Sequence, residues 1–264
     1  MAEPWPAVWN RRPSAIAVLG LLASLAGLGG LLAALPGDRA AALPLLLSAI
    51  VLVGCAAVAM ADVVIRPLRR TQRGIRIGNH PTLGPGLVVD YSAVQFWAWL
   101  AAAVTTLAIS IFLTGLTALD QSGPLELGTF LLVLACLAVG SYVAQTLGSR
   151  RARGYLHLSP HGACLRETGF EAVAAWEDIR SIGPASGEPT IGINADSLRV
   201  TRTDRLWTRR SRLPQRLLTV PGAEIVPDPA LVLALLTYYA DHPEARGELG
   251  TEAALQRVRS AAFR

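Results

Sequence analysis

Four long apolar segments, separated by loops of alternating arginine content, constrain the fold of this chain more than any other feature. They cover residues 15–35, 41–65, 94–119 and 127–147. At a helical rise of about 1.5 Å per residue, the roughly 21 residues of the first segment measure about 31 Å, the thickness of a bilayer's hydrocarbon core. Only 16% of all residues are charged, against about 25% in an average soluble protein. The sequence therefore predicts an α-helical membrane bundle of four transmembrane helices within residues 1–149.

The loop after the second apolar segment predicts the orientation of this bundle. It carries five arginines and no acid over its first eleven positions: Arg66, Arg69, Arg70, Arg73 and Arg76. Arginines also precede the first segment and follow the fourth, whereas the two remaining loops carry one and none. Because cytoplasmic loops are rich in arginine, the pattern predicts a multi-pass inner (plasma) membrane protein with both termini in the cytoplasm.

One acidic residue lies inside an apolar segment. Asp62 precedes Arg66 by four positions, so the two share one face of a helix. We expect an ion pair at the membrane surface. The alternative is a role in handling ions or protons, since acids within membrane segments are often functional.

Residues 150–264 have a different pattern, with short β-type stretches between turn residues. The predicted strands are Tyr155–Ser159, Ala163–Glu167, Phe170–Trp176, Arg180–Gly183, Thr190–Asn194, Leu198–Thr203 and Arg216–Val220. Asp228 and Pro229 form a helix start for a helix over Ala230–Ala240. A last amphipathic helix is predicted over Thr251–Phe263. The tail is therefore a mainly-β domain closed by a helix.

Two motifs in this tail carry a family resemblance. They are Leu156-His157-Leu158-Ser159-Pro160-His161-Gly162 and Ala175-Trp176-Glu177-Asp178-Ile179, and the predicted closing helix follows them. In this order they resemble the bacterial pleckstrin-homology-like (PH-like) domains of small integral membrane proteins. The resemblance implies a cytosolic platform that binds lipid headgroups or proteins without catalysis, with Trp176 and Ile179 packed into the sheet.

Lipid-binding members of that family carry basic residues in the first hairpin loop, but Ser159–Gly162 has no arginine. The basic residues lie further along, and we expect them to contact an anionic surface: Arg199, Arg202, Arg205, Arg209, Arg210, Arg212 and Arg216. Each would contribute about 1 kcal/mol near an anionic leaflet. The alternative is a solvated, arginine-rich hairpin.

Known catalytic, phosphate-binding and metal-binding motifs are missing from the sequence. No lysine is present, which excludes a phosphate-binding P-loop, and three cysteines without short spacing argue against a disulfide framework or zinc knuckle. One spacing is compatible with a metal site, that of His157, His161 and Cys164. On a strand, turn and strand, however, they are expected to point in different directions, so an ordinary hairpin is the preferred interpretation. We predict no catalytic residue, cofactor, metal or nucleic-acid partner.

The leading functional hypothesis is a non-enzymatic inner-membrane protein that presents its PH-like domain to a protein partner or an anionic lipid surface. The bilayer is the expected environment, and a homo-oligomer is compatible with the sequence. Two alternatives remain: an accessory subunit of a transporter or channel, and a membrane enzyme that modifies lipids.

Overall fold

The structure is a computed structural model that describes residues 72–119, 127–148, 153–185, 189–204, 213–260 and 262–263, together with Pro6. The chain divides into two compact units. The β unit comprises the described residues of 72–93 and 153–263, and the helical unit comprises residues 94–119 and 127–148.

The described residues form nine strands and four α-helices. The strands are β1 (Ile75–His80), β2 (Gly84–Asp90), β3 (Tyr155–Ser159), β4 (Gly162–Arg166), β5 (Phe170–Ala175), β6 (Ile179–Ala185), β7 (Thr190–Ala195), β8 (Arg199–Arg202) and β9 (Leu217–Pro221). The helices are α1 (Ala93–Leu119), α2 (Leu127–Leu147), α3 (Pro229–Asp241) and α4 (Glu252–Ser260). Short 3-10 helices cover Trp176–Asp178 and Pro243–Glu248.

The strand pairs within the described residues are all antiparallel, and they make two sheets. One has six strands in the order β1-β2-β3-β4-β5-β8, and the other has three in the order β6-β7-β9. The seven strands predicted in the tail are each confirmed within two residues of their predicted ends. Alternating apolar residues and turn-forming boundaries were sufficient to locate them.

The β1–β2 hairpin was missed by the sequence analysis, which placed residues 75–90 in a loop of the membrane domain. In the structure β2 pairs with β3, from Leu87 opposite Leu158 to Asp90 opposite Tyr155. The β unit therefore draws strands from both sides of the helical unit in the sequence. The segment is rich in glycine and proline, which favour turns, and this composition concealed its strands.

One hydrophobic core joins both sheets and the closing helices. Successive side chains of a strand point to opposite faces, and the buried face of the large sheet supplies Leu87, Val89, Leu156, Leu158, Leu165 and Ala172. Ile191, Ile193, Leu218 and Val220 of the small sheet and Leu235, Leu236 and Tyr239 of α3 complete it.

The boundaries of the closing helix follow its sequence signals. The Asp228 side chain accepts a hydrogen bond of 2.9 Å from the backbone nitrogen of Ala230, and Pro229 occupies the first helical position. The predicted packing of Trp176 is confirmed as well: it is 4% exposed, and its Nε1 donates to the Ser159 carbonyl at 2.8 Å. Ile179 packs against the same core.

The four-span membrane bundle predicted from the sequence is wrong. Among the described residues, no helix combines the length and the apolar character that crossing a membrane requires. The third and fourth apolar segments do form helices, α1 and α2. The first two predicted spans, residues 15–35 and 41–65, and Asp62 lie outside the described residues.

The predicted location in the inner membrane is wrong as well, because the structure does not support a multi-pass membrane protein. Of the arginines assigned to orientation, Arg66, Arg69 and Arg70 lie outside the described residues. Arg76 lies on β1, where its Nε donates to Asp90 Oδ2 of β2 at 3.0 Å. This arginine therefore contributes to pairing within the hairpin.

Candidate metal centre

The face of the large sheet that points away from the core carries a cluster of polar side chains. His157 on β3 lies directly opposite Cys164 on β4, and Glu171 on β5 lies opposite Arg166 on β4. Side chains at such positions are about 5–8 Å apart at their β-carbons, within reach of one another. Although they belong to this second face, His157 and Cys164 are 1% and 0% exposed.

The β1–β2 hairpin, which forms one edge of the same sheet, brings His80 to this face. A β-carbon on Gly86 would lie 2.2 Å from the Leu158 carbonyl oxygen and 2.7 Å from His157 Cε1. Only glycine allows so close an approach of β2 to β3. The hairpin can thereby bury His80, which is 5% exposed.

Three potential metal ligands converge at this point. His80 Nε2 lies 3.6 Å from Cys164 Sγ and 3.6 Å from Glu171 Oε1. All three ligand atoms lie within 4.8 Å of one another. The nitrogen-to-oxygen distance exceeds the hydrogen-bond range of about 2.7–3.2 Å, so the His80 and Glu171 side chains approach each other without forming a hydrogen bond.

The neighbours of these ligands fix their orientation. The Thr82 hydroxyl lies 3.1 Å from His80 Nδ1, and the Thr82 backbone nitrogen donates to the same atom at 3.3 Å. The two carboxylate oxygens of Glu171 face different partners. Oε1 faces His80, and Oε2 lies 3.6 Å from Arg166 Nη1. These contacts hold the imidazole and the carboxylate in place. Because Nδ1 of His80 accepts an N–H, the proton of the neutral ring is on Nε2, and a metal ion bound there would have to displace it.

Burial controls the protonation of the two innermost groups. It raises the pKa of the Cys164 thiol to about 12, with a further increase from the Glu171 charge and a decrease from Arg166. Burial and the neighbouring His80 lower the pKa of His157 below its ordinary value. The thiol is therefore neutral at physiological pH, and a cation would have to displace its proton.

His157 has an incomplete set of partners. Its ring lies near the Gly78 backbone, but neither ring nitrogen makes a hydrogen bond of acceptable geometry with any residue that the structure describes. The ring centre is 5.3 Å from that of His80, with the ring planes at 39°. A buried imidazole without a good hydrogen bond is costly.

Two of these residues belong to a metal site that the sequence argued against. His157, His161 and Cys164 were expected to point in different directions, whereas the structure brings His157 and Cys164 together and leaves His161 exposed in the turn. His80 and Glu171 were missed. His80 and Cys164 are 84 residues apart, and no local spacing links them.

The basic residues predicted to contact an anionic surface are only partly described. Arg199 and Arg216 are exposed, and Arg202 is half-buried, with its Nε donating to the Asp204 carbonyl at 2.8 Å. Arg205, Arg209, Arg210 and Arg212 lie outside the described residues. Those that are described do not join the His80 cluster.

No protein-family model, curated protein or solved structure matches this chain. The resemblance to PH-like domains consequently stays a prediction, and the function has to be argued from the residues of the cluster.

Proposed function

We propose that the β unit binds one Zn²⁺ ion through His80 Nε2, Cys164 Sγ and Glu171 Oε1, as a non-enzymatic metal-binding module. The observation that carries this proposal is the spacing of the three ligand atoms. Zinc bonds of about 2.3 Å to sulfur and about 2.0–2.1 Å to nitrogen or oxygen, at the tetrahedral angle, place sulfur and nitrogen about 3.5 Å apart and nitrogen and oxygen about 3.3 Å apart. The corresponding distances in the structure are both 3.6 Å.

The donor set supports zinc over the other common divalent cations. Imidazole and thiolate ligands suit zinc and its transition-metal neighbours, whereas magnesium and calcium take oxygen ligands. With the thiol and the carboxyl both ionised, the two negative ligands balance the charge of the ion. The thiol proton is released to solvent as the sulfur–zinc bond forms.

Access to the cluster is from the Glu171 side. The Glu171 side chain is 25% exposed, whereas that of His80 is only 4% exposed. An ion can therefore meet the carboxylate first, and the imidazole and the thiol lie behind it. Because the ligands belong to β1, β4 and β5, the bound ion would hold the β1–β2 hairpin against the rest of the sheet.

A competition titration of the chelator-stripped full chain tests this proposal. Zinc is added in the presence of a chromogenic chelator, and one equivalent is expected to bind. Cys164→Ser and Glu171→Gln should each weaken binding by more than the roughly 10–100-fold that loss of an outer-shell partner costs.

The chain offers matched controls for this titration. Cys136 lies on α2, outside the cluster, and His161 lies exposed in the β3–β4 turn. Cys136→Ser and His161→Ala should therefore bind zinc as the unmodified chain does. If the unmodified chain binds no zinc, His80, Cys164 and Glu171 only pack against one another, and the proposal fails.

The sequence-based hypothesis of a binding domain is compatible with a zinc site. A module that binds a protein partner or an anionic surface needs a rigid sheet, and a metal ion that joins three strands would provide one. The exposed side chains of Arg199 and Arg216 support an anionic partner.

A further inference from the structure

Three protein ligands leave one position of a tetrahedral zinc ion to be filled. In catalytic zinc sites a water molecule or substrate takes this position, whereas in structural sites a fourth side chain takes it. The identity of the fourth ligand thus decides which chemistry is open to the proposed site. His157 is the neighbouring group that carries a suitable lone pair.

The separation of the two histidine rings fits a shared ion. When two imidazoles bind one tetrahedral zinc, each ring centre lies about 3.2 Å from the metal, so the two centres are about 5.2 Å apart. The centres of His80 and His157 are 5.3 Å apart. Their planes are inclined by 39°, as independent ligands of one ion can be.

The hydrogen bonding of His157 gives a second, independent indication. The side chain is 1% exposed, and its approach to the Gly78 backbone gives neither ring nitrogen a hydrogen bond of acceptable geometry within the described part of the chain. Buried polar groups are normally paired. Ligation of one ring nitrogen would satisfy the group that the sheet otherwise leaves unpaired.

The position of His157 places its ring beside the other ligands. Val88 lies opposite His157 on β2, and the ring packs so closely against Gly86 that a β-carbon there would lie 2.8 Å from His157 Nε2. His157 and Cys164 are direct cross-strand neighbours. The three ligand atoms that converge in the structure do not include a nitrogen of His157, so we expect ligation to require a rotation about its Cβ–Cγ bond, which turns the nitrogens and leaves the ring centre in place.

We infer that His157 is the fourth ligand, so that the site is a closed His₂CysGlu zinc centre without a water position. This inference rests on the proposed zinc binding. It excludes metal-activated hydrolysis at the site, because hydrolytic zinc enzymes keep an open position for water. The ion would instead serve to fix the fold of the β unit.

Zinc K-edge X-ray absorption of the zinc-loaded full chain tests the inference. The expected first shell has one sulfur and three nitrogen or oxygen atoms, with outer-shell scattering from two imidazoles. His157→Ala should reduce the scattering to one imidazole and weaken zinc affinity at least about tenfold. His161→Ala, which removes an exposed histidine of the same hairpin, should change neither.

Two results would overturn the inference. One is a single imidazole in the unmodified chain, a measurement that does not depend on whether the His157→Ala variant folds. The other is a folded His157→Ala variant with unchanged affinity and spectrum. Both leave zinc binding itself intact, whereas a chain that binds no zinc would contradict the proposed function first.

Discussion

Glu167, which directly follows β4, should make the stability of the β unit depend on pH. Burial, reinforced by the charge of Glu224, raises the pKa of its carboxyl from 4.5 to about 7. The folded unit therefore keeps a proton, between about pH 4.5 and 7, that the unfolded chain has already lost. Under linkage, stability falls with rising pH wherever the folded state binds more protons.

The magnitude follows from the two pKa values. A difference of about 2.5, at about 1.4 kcal/mol for each pKa unit, corresponds to about 3 kcal/mol. Because the side chain is not fully buried, solvent screening reduces the expected loss to about 1–3 kcal/mol. The stabilisation that comes from the retained proton is fully present below about pH 4.5, declines as the pH rises, and is gone above about pH 7.

Glu167→Gln should remove this dependence, because glutamine stays neutral throughout. The free energy of unfolding can be obtained from the most protected amides of β3–β5 in hydrogen-exchange mass spectrometry of the full chain, corrected for intrinsic exchange. We expect the variant to be more stable than the unmodified chain at pH 8 and similar to it at pH 4.5. Glu177→Gln, at an exposed position, is the control. The same pH profile in the unmodified chain and in Glu167→Gln would refute the reasoning.

Three further predictions follow from the fold and the sequence. If opening of the Ile75–Asp90 hairpin releases the ion, zinc at 100 times its dissociation constant should slow amide exchange there about 100-fold, and unchanged exchange would show that the ion does not hold it. Trp176→Phe removes the donor to the Ser159 carbonyl and should cost about 1–3 kcal/mol in urea unfolding; a loss below about 0.5 kcal/mol would contradict this. The chain should bind vesicles with anionic lipid at low salt, and replacement of Arg209, Arg210 and Arg212 by glutamine should abolish binding. Binding that is equally strong at high salt would argue against an electrostatic contact.

The strands of the tail could be predicted because their signal is local. Period-two alternation places Leu156 and Leu158 on one face, and Asp228 with Pro229 defines the start of α3. Both features depend on residues a few positions apart, and the structure confirms them.

The hairpin and the cluster could not be predicted in this way. Gly78, Gly84 and Gly86 are typical of a turn, and the close approach of β2 to β3 at Gly86 depends on a strand about 70 residues further along the chain. His80 reaches Cys164 only because the sheet pairs these distant segments. Metal motifs are recognised by spacing, and a site assembled through sheet pairing has none.

The assignment of residues 75–90 to the membrane domain failed for a related reason. Apolar length and arginine flanks are properties of segments taken one at a time, and they correctly indicated helices at α1 and α2. They did not show that residues 75–90, assigned to the same domain, pair with the tail. Arg76, counted as an orientation signal, is bonded to Asp90 within that hairpin.

The most direct test of the zinc centre is a cobalt titration of the chelator-stripped full chain, followed by absorption spectroscopy. Cobalt takes the place of zinc and reports a thiolate ligand through a charge-transfer band. We expect the band to saturate at one equivalent in the unmodified chain and in Cys136→Ser, and to be absent in Cys164→Ser. No band in the unmodified chain, or a band that persists in Cys164→Ser, would contradict a metal centre built on Cys164.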